Sequence, residues 1–128
     1  MKLTRAQKIE KEAKPTIDAL KAKHKECMIC GWPKVGPRYK GPGHLSSIVA
    51  HEIANGACRL AARGKPFATL ILCGDCNSNA VTDKATWPAE RQLSVLLRKA
   101  PEDYDLTAYN QIAIRKIHQE DVDTWLTN

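Results

Sequence analysis

Two C-x-x-C pairs, Cys27–Cys30 and Cys73–Cys76, constrain this chain more than any other feature. Each pair offers two thiolates from one short turn, and together they supply the four soft donors that suit a tetrahedral zinc ion. Gly31 and Gly74 adjoin the pairs and ease the tight backbone such turns need. A redox dithiol would occur once, inside a βαβ pattern that is missing here. The expectation is therefore a structural Zn²⁺ held by Cys27, Cys30, Cys73 and Cys76. Such a site contributes on the order of 10 kcal/mol of apparent stability. Cys58, the odd cysteine, reads as a buried free thiol in an apolar stretch.

Thiol ligands imply a reducing compartment. Met1 to His24 is broken by charges and holds no apolar signal core, and no apolar run is long enough to span a bilayer. The chain reads as soluble and cytoplasmic, with no membrane partner. Its 128 residues suit a single domain. The expected parts are a basic helical arm (1–26), a zinc-bound core (27–83) and a helical C-terminal extension (84–128). The net charge of +6 is uneven. Lysines crowd the first third, while Glu102, Asp103, Asp105, Glu120, Asp121 and Asp123 lie in the last. A basic half attracts a polyanion, and nucleic acid is the common one.

The fold class expected is α+β. Thr4 is a plausible cap for a helix from Arg5 to about Lys14, with Pro15 breaking or restarting it towards Lys25. Trp32 to Gly43 is rich in Pro and Gly and reads as a loop. Ser46 to Ile53 has strand character, Asn55-Gly56 signals a turn, and Ala57 to Arg63 suits a short helical turn. Ala68 to Cys73 is the clearest strand, and a helix to about Thr82 should follow the second cysteine pair. Further helices are expected from a Thr86 cap, from an Asp105 cap to Lys116, and from His118 or Gln119 to Leu126. Trp87, Leu93, Leu97, Trp125 and Leu126 read as core or as a homodimer face. His24 and His118 read as surface residues.

An ordinary zinc ribbon separates its two pairs by roughly 15–20 residues, and here the separation is longer. The inserted segment carries His51 on a predicted strand, with Val49 and Ile53 sharing its face and Ala50 and Glu52 on the other. Asn77 follows the second pair directly, where it could equally cap a helix.

From Cys27 to Asp83 this order resembles the HNH endonucleases, also called ββα-metal or His-Me finger nucleases. A C-x-x-C pair precedes a strand bearing His51, and a second strand runs into Leu72-Cys73-x-x-Cys76-Asn77. The zinc-containing members are most similar, such as phage recombination endonuclease VII, in which an Asn follows the second pair. The resemblance implies a ββα-metal core that hydrolyses DNA phosphodiesters, in a phage- or prophage-encoded protein acting inside a bacterial host. It implies His51 as general base, a role suited to imidazole near neutral pH. It also implies Asn77 as ligand of a catalytic Mg²⁺ or similar divalent ion.

Where the family commonly places an acidic or histidine ligand before the base, this chain has Ala50. Glu52 and His44 are the candidates to replace it; alternatively His51 is itself the ligand. Arg38, Lys40, Arg59, Arg63 and Lys65 are candidate phosphate contacts. Two rival readings lack catalysis: a zinc-stabilised DNA-binding protein, and a module whose C-terminal helices meet a protein partner.

Overall fold

The computed structural model describes residues 2–31, 48–53, 59–79, 81–83 and 85–127. The Trp32–Gly43 loop, the Asn55-Gly56 turn and Cys58 lie outside them. Helix α1 runs over Arg5–Lys23 and opens on a reciprocal cap. Thr4 Oγ1 accepts from the Gln7 amide at 3.1 Å, and Gln7 Oε1 accepts from the Thr4 amide at 2.9 Å. The expected break at Pro15 does not occur, and the helix continues through it. An interior proline costs about 3 kcal/mol. Burial of Ala13, Ile17 and Leu20, a stripe at four- and three-residue spacing, offsets that cost.

Strands β1 (Ile48–Glu52) and β2 (Thr69–Cys73) pair antiparallel, with Ile48 opposite Cys73 and His51 opposite Leu70. Every residue of β2 is buried. Its other edge is covered by the first cysteine turn, where the Met28 amide donates to the Ile71 carbonyl at 2.9 Å. Between the strands lie the short helix α2 (Arg59–Ala62) and a 3₁₀ turn, Pro66–Ala68. Gly64 sits there at φ +79°, against α1, where a Cβ would fall 2.5 Å from Ala13 Cβ. Only glycine permits that approach.

Helix α3 (Gly74–Asn79) starts directly after β2, earlier than expected, so Cys76 and Asn77 lie within it. It packs on both strands. Helix α4 (Ala89–Lys99) begins after Pro88, which takes the cap position expected of Thr86. Its Leu93, Val95 and Leu96 are buried, and it packs on β2 and on α6 (Gln119–Leu126). Asp105 caps α5 (Leu106–Ile112) as expected, accepting from the Ala108 amide at 3.0 Å. The helix ends before Lys116 because the Asn110 amide folds the chain back. It takes the Ile117 N–H at 2.8 Å and donates to the Ile117 carbonyl at 2.9 Å. Tyr109, fully buried, donates to the Ile53 carbonyl at 2.7 Å and ties α5 to the end of β1.

The fold is thus α+β, a two-stranded antiparallel sheet among helices. Among the described residues no helix is long and apolar enough to cross a membrane. His24 departs from its expected surface placement. Its side chain is 13% exposed, and Nε2 is buried without a hydrogen-bond partner, 4.0 Å from Asp103 Oδ2.

Candidate metal centre and active site

The four cysteines of the two pairs converge. All four sulfurs lie within 4.8 Å of one another, a group that could hold a metal ion such as zinc. Cys30 Sγ and Cys73 Sγ are 3.7 Å apart. That is too long for a disulfide. It matches the edge of about 3.8 Å that Zn–S bonds of about 2.3 Å give a tetrahedron. Gly31, at φ +77°, closes the first turn by donating to the Cys27 carbonyl at 2.9 Å. The second pair spans the join of β2 and α3, and there the Cys76 amide donates to Cys73 Sγ at 3.4 Å.

Charge is shared unevenly among these thiols. Burial raises the pKa of Cys27, but hydrogen bonds from the backbone of Cys30, Cys73 and Ile29 and from the Cys30 thiol outweigh it, and the net shift is downward. Cys76 is pushed strongly up, by burial first, then by the negative charge of Cys27 and hydrogen bonding with its neighbours. One thiolate therefore opposes the next, and a cation is what would let all four ionise together.

His51 stands apart from this centre. Its cross-strand partner Leu70 is three residues from Cys73, about 10 Å along a strand. The ring is half-buried, and Nε2 lies 2.8 Å from Gln92 Oε1. Gln92 is fully buried on α4, and its Nε2 donates to the Trp87 carbonyl at 2.9 Å. That carbonyl can only accept, which fixes the amide with its oxygen towards His51. His51 Nε2 must then carry a proton, so that in the neutral ring the lone pair lies on Nδ1.

Asn77 is half-buried on α3, the helix packed on the strand that carries His51. Glu52 meets Arg63, Nη1 to Oε2 at 3.2 Å. The same guanidinium grips Glu10 of α1 at 2.8 and 2.7 Å, so it joins α1 to the sheet. Lys65 is exposed before the 3₁₀ turn. Arg59 opens α2. Its side chain, together with His44, Arg38 and Lys40, lies outside the described residues.

Sequence reasoning missed Gln92. The available signal was a carboxamide beside Leu93 in the apolar stripe of α4, where a buried polar group requires a partner. Comparison with protein-family models, curated proteins and solved structures finds no match to the chain.

Proposed function

We propose that the chain is a zinc-stapled, HNH-type endonuclease that hydrolyses DNA phosphodiesters at His51. The observation that carries this reading is the His51–Gln92 hydrogen bond at 2.8 Å. A buried amide that accepts from one imidazole N–H fixes the ring's orientation and, when the ring is neutral, puts its lone pair on the other nitrogen, as a general base requires. The order β1, β2, α3, with Asn77 on α3, supports it, as does the basic charge of the chain.

In the proposed reaction His51 Nδ1 takes a proton from water, whose oxygen attacks phosphorus. The opposite P–O bond breaks, and the departing oxygen leaves on the 3′ or 5′ side with a proton from solvent. Asn77 offers an amide oxygen of the hard kind that suits Mg²⁺, with water and substrate phosphate completing the shell. A divalent ion there would supply positive charge to the leaving oxygen. The four cysteines would hold Zn²⁺ as a structural ion, with every position closed by sulfur.

A second reading, a zinc-stapled DNA-binding protein without catalysis, draws on Ala50 and on the engagement of Glu52 by Arg63. Plasmid cleavage by protein of measured zinc content separates the two. The nuclease reading expects nicking that depends on added Mg²⁺ or Mn²⁺. Retardation of DNA without nicking under either ion would favour the second.

A further inference from the structure

Beside Gln92 on α4, the residues Arg91, Ser94, Val95 and Arg98 line a groove of about 360 Å³ that Trp87 and Trp125 share. Arg91 and Arg98 are seven positions apart, on one helix face and about 10.5 Å from one another along the axis. The Arg91 guanidinium stacks on Trp87, 3.7 Å from the ring centroid, and lies 5.0 Å from that of Trp125. One of its N–H groups donates to the Thr86 carbonyl at 2.7 Å. These contacts hold the plane of the guanidinium while leaving further in-plane donors, and none of them involves a carboxylate.

That distinguishes it from two other arginines. Arg63 is matched to Glu10 and Glu52, and Arg115 to Glu90, the acidic residue of α4. Arg98 is exposed and has no hydrogen-bond or ion-pair partner among the described residues. No carboxylate appears among the described residues that line the groove. Two guanidinium groups without a carboxylate partner, that of Arg91 held over the indole rings of Trp87 and Trp125, form a surface suited to phosphates.

We infer that this groove binds the phosphodiester backbone of a nucleic-acid strand, with Arg91 and Arg98 each contacting a phosphate. The inference rests on the reading of nucleic acid as partner, though not on cleavage. It extends that partner's path beyond His51 and along α4, from Arg91 near the start of the helix to Arg98 in its last turn.

The test is fluorescence anisotropy of labelled single-stranded and duplex oligonucleotides, titrated with zinc-loaded protein at several salt concentrations. The parent is His51→Ala without added divalent ion, so that cutting plays no part. Arg91→Gln and Arg98→Gln should each weaken binding several-fold. Each should also reduce the slope of log K against log salt by about 0.7–0.9, one phosphate's worth. Arg91→Lys, which keeps the charge but loses the stacked fork, should fall between. Thermal melts and zinc content confirm that each variant is folded. If the parent binds DNA and the folded arginine variants match it in affinity and slope, the groove inference fails alone. If the parent binds no oligonucleotide, the reading of nucleic acid as partner fails with it.

Discussion

His51 on β1 and Gln92 on α4, forty-one positions apart in sequence, meet at 2.8 Å through Nε2 and Oε1. The Trp87 carbonyl holds the far end of the amide, so one short chain of hydrogen bonds sets both the ring's tilt and its tautomer. Gln92→Leu should retain zinc and fold while reducing cleavage about 10- to 100-fold through loss of orientation. Gln92→Glu gives a separate signature. A carboxylate facing Nε2 favours the imidazolium, so the rise of the pH–rate profile should move to higher pH. A pH–rate series on both variants checks this, and an unshifted profile for Gln92→Glu would remove Gln92 from the site.

Metal removal should act on the middle of the fold. The cysteine cluster joins the first turn, the end of β2 and α3, and a structural zinc contributes on the order of 10 kcal/mol, comparable with a whole domain's stability. A chelator should abolish the cooperative thermal transition, and added zinc should restore it. Because Cys76 holds its proton strongly in the metal-free cluster, binding must release protons, and affinity should rise with pH. Competition titrations with a chromophoric chelator at several pH values measure this directly.

Gly64→Ala should destabilise the fold by about 3 kcal/mol, combining overpacking with a left-handed backbone. The added methyl would meet Ala13 at both Cβ and Cα, 2.5 and 2.9 Å away. Denaturant unfolding reads the loss, and Ala13→Gly in the same chain should recover part of it.

The cysteine spacing, the strand before Cys73 and the caps at Thr4 and Asp105 were legible because each is a local signal. What escaped depends on tertiary contacts. α1 runs through Pro15 because its apolar stripe is buried. α5 ends at Ile112 because Asn110 meets Ile117. Gln92 could be recognised as His51's partner only once α4 was placed against the sheet. His24 reads as an ordinary charged-arm residue until its Nε2 is found buried beside Asp103.

That burial gives a pH prediction. Desolvation, with the charge of Lys23, lowers the His24 pKa below its ordinary 6.5 against the opposing pull of Asp103 and Glu102. The unfolded chain therefore binds the proton more readily, and stability should fall as pH drops below 6.5. His24→Gln should flatten that decline, leaving the acid loss due to carboxylates such as Glu102 at lower pH. Urea midpoints from pH 7 to pH 5, on both proteins, provide the comparison.

The most direct measurement is cleavage of supercoiled plasmid and branched DNA by the wild-type chain and by His51→Ala, both with full zinc content, with added Mg²⁺ or Mn²⁺ or neither. Loss of a general base should lower the metal-dependent rate by about 10²–10⁴-fold while zinc and DNA binding persist. Equal cutting by both proteins, or no cutting by either with any metal, would contradict a catalytic role for His51.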